Sequence, residues 1–163
     1  MNENANKSMS SPTDLVAPQD EYKKHVWPIC LWPKQWSTCR LTLQWNNVAL
    51  DDECRSDVPN TRGIYSLVLE PEIAGNLSCS YLMYVGRATN LRKRFGDYLT
   101  RERTKRPKLV RLLEMYTGHI VFYYSTVDNK DLKTTEEQLI NAFVPPCNSR
   151  FTGVVQRAQG AFS

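Results

Sequence analysis

The chain has little with which to build a thiolate or imidazole metal centre. It holds two histidines, His25 and His119, and five cysteines, Cys30, Cys39, Cys54, Cys79 and Cys147, none in a C-x-x-C pair. Structural zinc needs four such ligands at short spacings and a disulfide framework needs an even set, so the pattern argues against both. Reduced thiols in a cytoplasm are the consistent reading. No run approaches the roughly eighteen apolar residues that a membrane-spanning helix requires. The polar start from Met1 to Pro12 lacks the apolar core of a secretory signal. A soluble, cytoplasmic protein with no membrane partner is therefore expected. Its 163 residues leave room for one domain with decoration.

Acidic residues are scarce where basic ones crowd. The formal charge is only +4, yet ten of the 21 lysines and arginines lie between Arg87 and Arg111, against Asp97 and Glu102 alone. A solvated helix face of this charge density would alternate in sign and carry acidic partners at i,i+4. A block of one sign instead suits a polyanion, because each cation that neutralises a phosphate releases condensed counterions. Arg87, Arg92, Lys93, Arg101, Arg103, Lys105, Arg106 and Lys108 are the expected nucleic-acid contacts.

The elements follow from periodicity. Residues 1–22 are too polar to offset their ordering entropy and are expected to be disordered. Residues 23–60 contain all four tryptophans, Trp27, Trp32, Trp36 and Trp45, and read as an extension packed on the core, the indoles filling it more readily than stacking on bases. Within the extension, alternation from Arg40 to Val48 predicts a strand ending in an Asn46-Asn47 turn. Gly63–Leu69 and Tyr81–Gly86 predict two strands of a hairpin with a long loop between them. Thr89 or Asn90 can cap a following helix on which Leu91, Phe95 and Leu99 face the core and Arg94 and Tyr98 point the same way. Pro107 opens a second helix that Gly118 ends. His119–Ser125 reads as a third core strand, and Thr134–Val144 as a third helix stopped by Pro145-Pro146. The fold class is α+β, a small antiparallel sheet of about three core strands flanked by helices. The core spans 61–148, followed by a tail over 149–163.

One residue breaks the pattern. Leu139, Ile140 and Phe143 define an apolar helix face, and Glu136 shares it whereas Glu137 does not. A carboxylate so placed must be hydrogen-bonded, ion-paired or bound to a metal.

Gly63-Ile64-Tyr65 and Tyr84-Val85-Gly86, then Arg94 ten residues after the second tyrosine, Tyr98 four further on, and Glu136 twelve residues before Asn148 in a segment that includes Pro145, resemble the GIY-YIG nuclease family in order and spacing. The resemblance covers about Gly63 to Asn148. It implies a GIY-YIG endonuclease-like core that hydrolyses phosphodiesters of DNA with one Mg²⁺ or Mn²⁺ and no organic cofactor. Glu136 would bind the ion, which would stabilise the leaving 3′ oxygen. Arg94 would clamp the phosphate. Tyr65 would act as general base, its pKa lowered by Arg87 or Arg94. Tyr84 and Tyr98 would orient water and phosphate, and Asn148 would brace the site. The chain departs from the family at Arg87, where excision-repair incision nucleases often carry a lysine, and in the length of its 70–80 loop.

With only fifteen residues after Asn148, targeting is expected from the core surface, the extension or a second copy of the chain. A restriction or phage-defence nuclease, with a homodimer cutting both strands, is the leading reading. A structure-specific repair nuclease, and a nucleic-acid-binding module whose site is unused, are the alternatives.

Overall fold

The computed structural model describes residues 27, 29–76, 78–100, 106–153, 155 and 156. The expected disorder of 1–22 and the contacts assigned to Arg101, Arg103 and Lys105 lie outside them. Element order is α1 (Pro33–Trp36), β1 (Asn46–Ala49), a 3₁₀ turn (Glu53–Asp57), β2 (Gly63–Leu69), a short 3₁₀ turn (Ile73–Gly75), β3 (Tyr81–Ala88), α2 (Leu91–Leu99), α3 (Pro107–Met115), β4 (Ile120–Thr126) and α4 (Leu132–Phe143). The four strands form one antiparallel sheet in the order β1-β4-β2-β3. The fold is α+β. Among the described residues no helix is long and apolar enough to cross a membrane, and all five cysteines are free thiols.

Side-chain alternation on the central strand splits the interior in two. Tyr65, Leu67 and Leu69 enter a cluster with Phe95, Leu109, Leu112 and Phe122, covered by α2 and α3. Ile64 enters the other, with Val85, Leu139, Ile140 and Val144, covered by α4. Phe122 anchors the first cluster, stacked on Tyr65 at 5.2 Å between centroids and edge-on to Phe95 at 5.2 Å.

Local signals place the helices. Asn90 is the N-cap of α2, its side-chain oxygen accepting the Lys93 N–H at 2.8 Å. Arg92 then ties this helix to the turn before β2, donating to the carbonyls of Val58 at 2.7 Å and Ser56 at 2.9 Å. Pro107 begins α3, where its missing N–H has no intrahelical partner to lose. At the end of α4, Pro145 disfavours right-handed helix at Val144, which adopts φ 47°. A β-branched residue there costs about 1–3 kcal/mol.

Several expectations are corrected. The extension strand starts at Asn46, where a turn was expected, because Leu41 and Leu43 pack against the second cluster and keep the preceding chain out of the ladder. The tryptophans divide: Trp27 and Trp32 pack against the two clusters, whereas Trp36 and Trp45 are exposed. Phe143 is also exposed, since Val144 turns inward at the helix end and takes the buried place. The three core strands β2, β3 and β4 are joined by a fourth, β1 of the extension, which pairs with β4. The tail after Asn148 buries Phe151 and Val155 in the second cluster.

Truncating Phe122 to alanine removes the ring on which Tyr65 and Phe95 both rest. A loss of about 3–5 kcal/mol is expected in urea unfolding; a change below about 1 kcal/mol would show that the cluster repacks without it.

Candidate active site

Strand β3 lies at the edge of the sheet and is irregular. Leu67 pairs with Tyr84 and Val68 with Leu82, so Met83 is an extra residue. A bulge of this kind reverses the alternation of whatever follows it. Leu82 packs on the α4 side, but Tyr84 emerges on the α2 side with Tyr65, and Val85 returns to the α4 side. Opposite Tyr65 stands Gly86. A Cβ there would come within 2.5 Å of the Tyr65 hydroxyl oxygen and 2.8 Å of Tyr84 Cε1. Glycine lets both rings reach the strand edge.

The edge is closed by the chain that leaves α4. Asn148 acts as a short strand partner: its Oδ1 accepts the Val85 N–H at 2.9 Å and its Nδ2 donates to the Val85 carbonyl at 2.8 Å. The Cys147 N–H donates to the Met83 carbonyl at 3.0 Å. The two sides of the sheet therefore meet around β3 in one cavity of about 770 Å³, lined by Tyr65, Tyr84, Arg94 and Tyr98 from one side and Arg87 and Glu136 from the other, with Asn148 between.

The hydroxyls of Tyr65 and Tyr98 are hydrogen-bonded at 2.7 Å. Burial pushes the Tyr65 phenol well above its usual pKa, the neighbouring tyrosines push it further, and Arg94 opposes them only weakly. Burial raises Tyr98 as well. The expectation that cations lower the Tyr65 pKa is thus overturned, because the ring is sealed between Phe122 and two other phenols. Arg94 reaches Asp97 only at 3.7 Å, and its buried Nε has no hydrogen-bond partner among the described residues. Glu136 pairs with Arg87, Oε2 to Nε, at 2.9 Å. Even so, burial holds its carboxyl above the ordinary range against the pull of Arg87.

The basic residues sort into groups. Arg87 and Arg106 line the cavity. Arg92 donates to the backbone carbonyls of Val58 and Ser56 and is absent from the cavity lining. Lys93 is exposed on α2 and absent from the lining, and Lys108 donates to the Pro146 carbonyl at 3.1 Å. Lys133 and Arg150 also line the cavity and were missed. Their signals were present: Lys133 lies one helical turn before Glu136, and Arg150 two residues after Asn148.

The donor set fits a hard cation. Among the described residues no three His, Cys, Asp or Glu side chains cluster. Glu137 is the second carboxylate on the cavity and pairs with Lys133 at 3.8 Å. A site with one carboxylate and otherwise water is the kind Mg²⁺ tolerates. A carboxyl still raised beside Arg87 has room for more positive charge.

No protein-family model matches the chain, and no curated protein matches it by sequence. It is similar to solved structures of the GIY-YIG N-terminal endonuclease domain of UvrC from Thermotoga maritima. The form bound to its catalytic divalent cation, magnesium, is 18% identical with TM-score 0.44, covering 61% of this chain and 99% of that one. A point mutant bound to its catalytic divalent cation is 17% identical with TM-score 0.44 over the same shares.

Two outcomes follow. Unfolded Tyr65 ionises near pH 10, whereas folded Tyr65 stays neutral there, so stability is full below about pH 10 and declines above it. Urea unfolding across that range should show a shallower decline for Tyr65→Phe; equal slopes would contradict the burial. Asn148→Ala leaves the Val85 N–H and carbonyl unpaired and should cost about 2–4 kcal/mol in the same assay, while a neutral substitution would mean that water replaces the amide.

Proposed function

We propose that the chain is a divalent-metal-dependent endonuclease of the GIY-YIG type acting on DNA. The observation that carries this reading is the convergence of Tyr65, Tyr84, Arg94, Tyr98 and Glu136 on one cavity, from elements as far apart in sequence as β2 and α4. A phosphodiester placed there meets Arg94, whose part-exposed guanidinium lines the cavity and whose planar fork suits two oxygens of one phosphate. Hydrolysis adds one water to phosphorus and breaks the bond to the leaving 3′ oxygen, which takes up a proton. Charge builds on the phosphoryl oxygens meanwhile, and fixed guanidinium donors stabilise it in a site that needs no reorganisation.

Tyr65 keeps a place in this chemistry with a changed task. As a buried neutral phenol bonded to Tyr98, it holds and orients the attacking water instead of standing ready as phenolate. Glu136 would hold Mg²⁺ or Mn²⁺, and Arg87 would yield that carboxylate to it. When bound, the ion supplies charge neutralisation at the leaving oxygen. Asn148 braces the wall that carries Val85 and so the register of Tyr84.

Among nucleases, a restriction or phage-defence enzyme is the reading carried forward. The extension embellishes the core by giving the sheet its β1 edge, which supports that layout. Cutting both strands would then take a second copy of the chain. Sequencing the ends of digestion products tests it: a fixed motif is expected at the cuts, and scattered ends would favour a structure-directed repair nuclease.

Plasmid cleavage in Mg²⁺ should fall below detection for Glu136→Ala and by about 10²–10³-fold for Arg94→Ala, with little recovery in Arg94→Lys. Wild type as inert as Glu136→Ala on every DNA substrate, while still binding DNA, would sink the enzyme reading in favour of a binding module.

A further inference from the structure

Arg106 belongs to the basic block by composition, but its position is unlike that of its neighbours. It is the residue before Pro107 and so sits at the start of α3, where the proline ring and buried Leu109 hold the backbone. From there its guanidinium crosses to β3 and donates from Nη1 to the Tyr84 hydroxyl oxygen, with its carbon 5.5 Å from the centre of the Tyr84 ring. It lines the same cavity as Arg94.

Two consequences come from elementary hydrogen-bond chemistry. A guanidinium has donors and no acceptor, so the Tyr84 oxygen must be the acceptor in this pair. The Tyr84 proton is then directed elsewhere. Among the described residues the Tyr84 hydroxyl has no hydrogen bond besides the one from Arg106, and the residue lines the cavity, so its proton can be given to a ligand there. Arg106 also keeps further N–H groups of its fork for a ligand. Its charge acts on Tyr98 and Glu136 alike, opposing the burial that raises both.

Resting on the nuclease reading above, we infer that Arg106 is a second catalytic arginine, which contacts a non-bridging oxygen of the scissile phosphate opposite Arg94 and sets Tyr84 as a hydrogen-bond donor to that phosphate. One guanidinium from α2 and one from α3 thus meet the two oxygens on which charge grows. Two forks on rigid elements give what one cannot: complementarity to both oxygens at once. The Tyr84 hydroxyl, oriented from behind, adds a third donor.

The test is single-turnover cleavage at saturating DNA in Mg²⁺, together with DNA binding without metal, for wild type, Arg106→Ala, Arg106→Lys, Tyr84→Phe and the Arg106→Ala/Tyr84→Phe pair. Arg106→Ala should lower the saturating rate by about 10²–10³-fold while weakening binding by less than about tenfold. Lysine should restore only a minor part, since a point charge cannot hold Tyr84 and a phosphate oxygen in one plane. The pair should be slower than Arg106→Ala by no more than about threefold, because Tyr84 acts through the same contact. An Arg106→Ala rate within about threefold of wild type, a loss confined to binding, or full recovery in Arg106→Lys would overturn the inference while wild-type cleavage leaves the nuclease reading standing. Wild type that cuts nothing would overturn both. Thermal unfolding of Arg106→Lys checks that the fold persists.

Discussion

Strand β3 carries one residue more than its partner between Leu82 and Tyr84, and that residue, Met83, turns Tyr84 onto the face that Tyr65 occupies. Opposite Tyr65 the same strand offers Gly86, whose bare Cα leaves room for both phenols. A regular strand would have sent Tyr84 to the α4 side, away from Tyr98, Arg94 and Arg106. An edge strand is where such an irregularity is tolerated, since only one neighbour must keep its ladder. The cost is an open edge, and Asn148 closes it by matching both backbone groups of Val85. That closure also fixes the chain leaving α4, and with it the helix that bears Glu136. The bulge, the glycine and the amide are one device that joins the two sides of the sheet around a cavity.

Electrostatics within that cavity are uneven in a way that suits an anionic ligand. Burial raises the pKa of the Tyr65 and Tyr98 phenols, with the Tyr65 ring stacked on Phe122. The charge lies in guanidinium groups at the walls, where Arg94 lines the cavity and Arg106 leans on Tyr84. Glu136 is the exception. Its pair with Arg87 is part-exposed, 44% and 20% for the two side chains, and so worth about 1 kcal/mol or less. A contact that weak is readily exchanged for a cation, whereas Asn148 in its buried setting is not readily exchanged for anything.

Much of the architecture was legible in sequence because it rests on local rules. Asn90 caps α2, Pro107 starts α3 and Pro145 ends α4, each for reasons confined to a few residues. Apolar and β-branched content found β2, β3 and β4, and the extension strand was read from alternation. Alternation failed at 40–45, where Leu41 and Leu43 alternate as a strand does but pack against the α4-side cluster without joining a ladder. Phe143 has the correct helical angle and is exposed because Val144 takes its place. At the site, the residue types and their order were readable. The sense of the Tyr65 pKa was not, since sequence displays the arginines and hides the enclosure. Arg92 looked like any other basic residue until its carbonyl partners were visible.

What the sequence by itself determined is chemical inventory and order: tyrosines on two strands, an arginine and a tyrosine one turn apart on a helix, a carboxylate on an apolar helix face, and an asparagine beyond it. These depend on residue identity and on periods of two and 3.6, which any stretch of chain carries with it. Tertiary structure alone decided which of them meet, which cations face the cavity and which bind backbone, and that burial raises the pKa of Tyr65 and Tyr98. Those properties belong to enclosure and to pairs far apart in the chain, such as Asn148 with Val85 and Arg106 with Tyr84. Burial raises a pKa and a bulge turns a side chain only once the opposing surface is in place.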